Sequence, residues 1–262
     1  MTQPPSFADK GWTVFVPEPA VTDWVEAALP HARQALIAHP DQLQCDGTWF
    51  VGLDVLPNDG SGRMPRGPAL AGTAVDFATA HCGGWPVLHA GQLSVTYPGY
   101  PRPRAGETEA GFRYRLTRDA AHVDGIIGLG TPKRRFLKEP HAFVLGLPLT
   151  EADADAAPLV VWEGSHHLMR TALRDAVAAA PGDEIERIDV TQAYQAARRV
   201  VFEQCRRVVL HGTPGSVLLL HRHLLHGVAP WTPGAMAAPE GRMIAYFRPE
   251  LPGGLPDWLT AP

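Results

Sequence analysis

From Gly91 onward the chain is a succession of short apolar runs, each closed by glycine, proline or a polar turn, and this constrains the fold more than any other feature. "GQLSVTYP", "FRYRLTR", "HAFVLGLPLT", "PLVVWEGSH", "RRVVLHG", "GSVLLLH" and "GRMIAYFRPE" read as strands, because β-branched and aromatic residues bounded by turn formers favour a pleated, half-buried surface. Helical spacing returns around residues 167–180 and 190–204. Before Gly91, "VTDWVEAALPHARQAL" sets Val21, Trp24, Val25, Ala28, Leu29 and Ala32 on one helical face, with a kink or break predicted at Pro30. "TWFVGLDVL" reads as a strand and "PALAGTAVDFATAH" as a second helix. The pattern predicts a mainly β protein, a sandwich or barrel flanked by helices.

With 262 residues, 45% of them hydrophobic, the chain can bury one large core, so a single domain over 1–262 is expected. Its 26 Gly and 26 Pro fall at turns rather than in one tract, which argues against a linker or repeat. A net charge of −4 with scattered signs predicts no nucleic-acid partner. The start "MTQPPSFADKGWTVFVPEPA" has no basic, apolar leader and no run has membrane-spanning length, so a cytoplasmic protein without a membrane partner is expected. Cys45, Cys82 and Cys205 are too few and too far apart for a disulfide framework or a thiolate zinc site, and read as buried free thiols.

The chemistry enters with "RDAAHVDGIIG". On extended backbone, residues two apart point the same way, so His122 and Asp124 would converge. An imidazole and a carboxylate are two thirds of the set that holds non-haem Fe(II); the alternative is a polar pair bonded to backbone beside a turn. A third ligand is available in "GTPGSVLLLHRHLLHGVAPW", from His221, His223 or His226. A helical zinc-protease motif is missing. His166 and His167, after "VVWEG", are expected to hold their turn by hydrogen bonds, and His141 and His211 to be satisfied structural histidines.

The order of these segments resembles the phytanoyl-CoA dioxygenase-like branch of the Fe(II)/2-oxoglutarate-dependent oxygenases over most of the chain. "FADKGWTVFVPEPAVTDWVEAAL" is similar to the family's opening, and "LSVTYPGYPRP" with "AAHVDG" to its substrate-side strand and His-x-Asp motif. "APLVVWEGSHHLM" resembles its Gly-Ser-His turn, with Glu163 where proline is commoner. "PGSVLLLHRHLLHGVAPW" resembles its distal-histidine segment, with Ser216 for the usual Asp, and "GRMIAYF" its arginine strand.

The resemblance implies a double-stranded β-helix, a jelly-roll or cupin-like sandwich with helices outside. It also implies Fe(II) held by His122, Asp124 and His226, and Arg242 on the distal carboxylate of 2-oxoglutarate. His226 and Arg242 are sixteen residues apart, a longer interval than the family usually shows, and Arg248 is the alternative arginine. The implied reaction is hydroxylation of a small molecule with O2, giving succinate and CO2; Asp124 fills a position that a halogenating relative would leave to chloride. Gln92, Thr96 and Tyr97 are candidate pocket residues on the strand before the His-x-Asp motif. In "FRYRLTR", alternation would put Arg113 and Arg115 on one face, where at least one would hold an anionic group of the substrate; a solvated polar face is the alternative. Two rival readings are a zinc enzyme using the same ligands without oxidation and a non-catalytic metal-binding jelly roll.

Overall fold

The computed structural model describes residues 6–182 and 184–261, so the outermost residues of the expected 1–262 domain lie outside it. The strands are β1 (Trp12–Phe15), β2 (Leu43–Gln44), β3 (Trp49–Gly52), β4 (Gln92–Thr96), β5 (Ile126–Leu129), β6 (Arg134–Leu137), β7 (Phe143–Pro148), β8 (Leu159–Trp162), β9 (Arg207–Leu210), β10 (Val217–His221), β11 (His226–Val228) and β12 (Arg242–Phe247). The α-helices are α1 (Phe7–Lys10), α2 (Pro19–Ala38), α3 (Thr73–Cys82), α4 (Glu109–Thr117), α5 (Ser165–Ala178), α6 (Thr191–Gln204) and α7 (Gly254–Thr260).

A large antiparallel sheet runs β1-β10-β7-β12-β4-β3-β2 and faces a small one, β11-β8-β9. His122 extends the small sheet by an antiparallel bridge to His226. From β4 onward the chain passes to the small sheet at His122, back to β7, over to β8 and β9, back to β10, over to β11 and back to β12. That alternation between two sheets is the double-stranded β-helix expected from the sequence.

Residue parity along each strand sorts the core. In β12, Met243, Ala245 and Phe247 face the helix-covered side with Trp24 and Ala28 of α2, while Ile244 and Tyr246 face inward with Val144, Val161 and Leu220. In β8, Leu159 and Val161 face inward, whereas Val160 and Trp162 pack outside with Met169 of α5, Val201 of α6 and Trp258 of α7. Strands buried on both faces read as continuous apolar runs, which is why "VLLLH" and "LVVW" carry no polar alternation.

Two helices differ from expectation. Helix α2 runs through Pro30 without a break. The proline lies on the solvent face, where water can take the backbone group it leaves unpaired, while Ala28, Ala32 and Ala35 hold the buried stripe. "FRYRLTR" is the end of helix α4, not a strand. The Thr108 hydroxyl caps it by accepting from the Gly111 amide at 3.1 Å, and the local cap outweighs the β-type alternation downstream. Among the free thiols only Cys45 is fully buried, Cys82 and Cys205 being half-buried. No helix among the described residues is long and apolar enough to cross a membrane.

Candidate metal centre and its cavity

His122, Asp124 and His226 meet between the sheets, with one donor atom of each within 4.8 Å of the others. Strand parity delivers the first two: Val123 points into the outer core of the small sheet, leaving its neighbours on the inner side. The two histidine segments are tied by reciprocal bonds, His122 N–H to His226 O at 2.8 Å and His226 N–H to His122 O at 3.0 Å. Gly227 permits that approach, because a Cβ there would lie 2.1 Å from the Asp119 carbonyl oxygen. Asp119 is itself gripped by Arg207 through two bonds of 2.7 and 3.0 Å. The Ser165 hydroxyl of the Gly-Ser-His turn accepts from the Leu225 amide at 2.9 Å, fixing the chain beside His226.

The protonation pattern suits a metal. Nδ1 of His122 faces the Ala120 carbonyl at 2.9 Å, and Nδ1 of His226 faces the Leu224 carbonyl at 2.9 Å. A carbonyl only accepts, so each Nδ1 carries the proton and each Nε2 presents a lone pair. Those Nε2 atoms lie 3.2 Å from Asp124 Oδ1 and 3.6 Å from Asp124 Oδ2. Two donors about 2.1 Å from one metal at right angles sit about 3 Å apart, so the three side chains need to move little.

Burial opposes the Asp124 charge, but the Arg248 guanidinium beside it outweighs this and holds its pKa well below the usual carboxylate range. Desolvation also disfavours charge on His122, yet the Asp124 carboxylate beside its Nε2 outweighs this and raises that pKa, so a proton and a metal compete for the same lone pair. Arg248 donates from Nε to Asp124 Oδ2 at 2.6 Å and from Nη1 to Gln92 Oε1. Its backbone is clamped as well, N–H to His89 Nε2 at 2.9 Å and the carbonyl to His141 Nδ1 at 3.0 Å.

The triad opens on a cavity of ≈930 Å3, lined among others by Trp49, Gln92, Ser94, Val144, Leu159, Tyr246 and Arg248. Beyond Tyr246 on the same face of β12 lies Arg242, paired in register with Thr96 of β4. Arg242 is buried, and among the described residues no carboxylate lies within ion-pair distance. Burial lowers its pKa, and the groups that offset this are the phenols of Tyr246 and Tyr100. Opposite it, Thr96 Oγ1 is buried without a hydrogen-bond partner.

Several candidates fall elsewhere. Of the three strand candidates only Gln92 lines the cavity; Thr96 shares its inner face but, like Arg242, is not among the lining residues, and Tyr97 packs on the helix side of the large sheet. Arg113 points to solvent and pairs with Glu109 four residues back. Arg115 is buried, bidentate on Glu107 at 2.8 and 2.6 Å and bonded to the Arg102 carbonyl at 2.6 Å. Neither arginine lines the cavity, because α4 carries both away from it. His221 and His223 lie apart from the triad, in tilted and edge-on contact with Phe7, His166 and Trp258. His166 ties the turn to α1, with Nε2 2.9 Å from the Ala8 carbonyl, whereas His167 is exposed and makes no side-chain hydrogen bond among the described residues. Sequence reasoning missed His89, His141 and Tyr246 as cavity residues; the parity of β12, which puts Tyr246 and Arg248 on the Arg242 face, was the signal for the last.

No family model and no curated protein matches the chain. Solved structures resemble it at low identity. SnoK, a non-heme alpha-ketoglutarate-dependent carbocyclase from nogalamycin biosynthesis, is 12% identical over 96% of this chain and 85% of its own, with a TM-score of 0.49. The epimerase SnoN, in complex with Fe3+, alpha-ketoglutarate and nogalamycin RO, is 14% identical over 96% and 86%, with a TM-score of 0.49. EctD from S. alaskensis with bound Fe is 19% identical over 97% and 80%, with a TM-score of 0.46. Likeness at this level leaves the chemistry to rest on the residues themselves.

Proposed function

We propose that this chain is an Fe(II)- and 2-oxoglutarate-dependent dioxygenase that hydroxylates a small molecule. The observation that carries the reading is the pairing of two features: two Nε2 lone pairs converging on a carboxylate, and a buried arginine in register with an unpaired buried hydroxyl, with no carboxylate in ion-pair range of it among the described residues. The first fits a divalent metal and the second a carboxylate.

In this reading His122, Asp124 and His226 hold the iron, and the carbonyls of Ala120 and Leu224 keep both rings in the ligating tautomer. Arg248 fixes the orientation of Asp124 through its bond to Oδ2. Arg242 and Thr96 take the distal carboxylate of 2-oxoglutarate. Iron and 2-oxoglutarate, with O2, supply the oxidising chemistry and leave succinate and CO2. Val144, Leu159 and Val228 form an apolar wall that limits water near the reacting bond. Asp124 fills a ligand position with protein oxygen, which favours hydroxylation over halogenation.

A hydrolytic zinc enzyme would use the same three ligands, but it would give Arg242 and Thr96 no ligand. The test is succinate release from 2-oxoglutarate by iron-loaded protein, compared with His226→Ala. Wild-type turnover lost in the variant supports the proposal; absence of 2-oxoglutarate consumption by iron-replete wild type overturns it.

A further inference from the structure

The charge on the cavity wall is of one sign once internal pairs are accounted for. Among the described residues Arg248 is the only lysine or arginine lining the cavity, and its guanidinium is engaged by Asp124 and Gln92. The carboxylates of Asp54, Glu139 and Glu250 line the same cavity near its mouth. Glu139 is taken up by His141 at 3.1 Å. Asp54 faces His89 Nδ1 at 3.4 Å, but His89 Nε2 accepts the Arg248 amide proton and Nδ1 meets the Ala90 carbonyl at 2.6 Å. A ring that accepts at one nitrogen carries a single proton, so His89 brings no charge to Asp54. Glu250 has no ion-pair partner among the described residues.

The rest of the outer wall is apolar. Trp49 and Val51 stand on β3, and two large apolar side chains at the mouth, Leu53 and Val87, are 62% and 81% exposed. Exposed apolar side chains gathered at a cavity mouth mark a surface that a ligand covers. The volume of ≈930 Å3 lies at the upper end of what drug-sized ligands occupy.

We infer that the substrate is a bulky apolar small molecule bearing a protonated amine, with its body against Trp49, Val51, Leu53 and Val87 and its ammonium group at one of the two carboxylates without a charged partner, Asp54 or Glu250. This rests on the proposed activity for the site, and it reverses the anionic substrate that the "FRYRLTR" stripe suggested.

Calorimetric titration with three probes of one skeleton, 4-phenylbutylamine, 4-phenylbutanol and 5-phenylpentanoate, tests it on the metal-free protein and on the anaerobic Fe(II)/2-oxoglutarate form. The amine should bind most tightly and the carboxylate most weakly, with at least about a tenfold gap between them. The gap should shrink at high salt. Asp54→Asn with Glu250→Gln should abolish the amine's advantage and leave the alcohol's affinity unchanged. Asn suits position 54, where φ is 51°. A carboxylate preference, an amine preference that survives the double substitution, or no binding by any probe would overturn the inference. The visible band of Fe(II) with 2-oxoglutarate, recorded on the same samples, reports the proposed activity separately. A band with the probe order reversed sinks the substrate class alone, and amine preference without a band sinks the activity alone.

Discussion

Replacing Arg242 by methionine should make the protein more stable and nearly blind to 2-oxoglutarate. Arg242 is 8% exposed, has no carboxylate within ion-pair distance among the described residues, and is already pulled below its ordinary pKa by burial. An uncompensated buried ion costs several kcal/mol, and apolar replacement of buried charge is commonly neutral or stabilising by about 1–4 kcal/mol. Methionine is flexible enough to fill the space left by the arginine stem. At about 2–4 °C per kcal/mol for a chain of this size, the melting temperature should rise by roughly 2–15 °C. Wild type should gain about 2.7 kcal/mol from 2-oxoglutarate at a hundred times its Kd, and the variant less than about 1 kcal/mol at the same concentration. Calorimetric melts with and without 2-oxoglutarate, under anaerobic Fe(II), measure both effects. A destabilised variant that still responds to 2-oxoglutarate would make Arg242 a structural residue and refute the reasoning.

His122→Ala, Asp124→Ala and His226→Ala should each lose stoichiometric iron, by metal analysis, while circular dichroism stays native; full iron retention in His226→Ala would break the ligand assignment. Arg248→Met should weaken Fe(II) binding about 10–100-fold, as loss of a bond to a ligating carboxylate commonly does, with less effect on 2-oxoglutarate than Arg242→Ala, which should cost about 2–5 kcal/mol of its binding; equal effects of the two on 2-oxoglutarate would contradict the division of labour. Stability should fall with acid between pH 6.5 and about 4, because burial lowers the pKa of His166 to about 4 and those of His221 and His223 further. The unfolded chain protonates these rings first, so stability is held above pH 6.5 and lost below it, by up to about 1.4 kcal/mol per pH unit for each ring. The raised pKa of His122 acts in the opposite sense, but its share is complete by pH 6.5 and flat below. Urea midpoints that do not change between neutral pH and about pH 5 would contradict this.

The mainly β, helix-flanked architecture was legible in turn-bounded apolar runs such as those of β8, β10 and β12, whose strands are buried on both faces, whereas the β-helix connectivity came from the resemblance. The His-x-Asp pair was legible through period-two parity, with Val123 between the two on the opposite side. Choosing His226 over His221 and His223 needed a resemblance, since spacing alone does not say which histidine follows the turn back to the small sheet. "FRYRLTR" misled because its alternation imitates a strand, while the Thr108 cap that starts the helix lies outside the quoted run. The Arg248 contacts were out of reach, for they join β12, the loop at His89, the segment before β7 and the metal motif, which are brought together only by the sheet topology.

The most direct test is the anaerobic absorption spectrum of the protein with Fe(II) and 2-oxoglutarate. A weak visible charge-transfer band should grow to one equivalent of each, and be absent in His226→Ala. Tight, stoichiometric iron binding with no band on addition of 2-oxoglutarate would contradict the account.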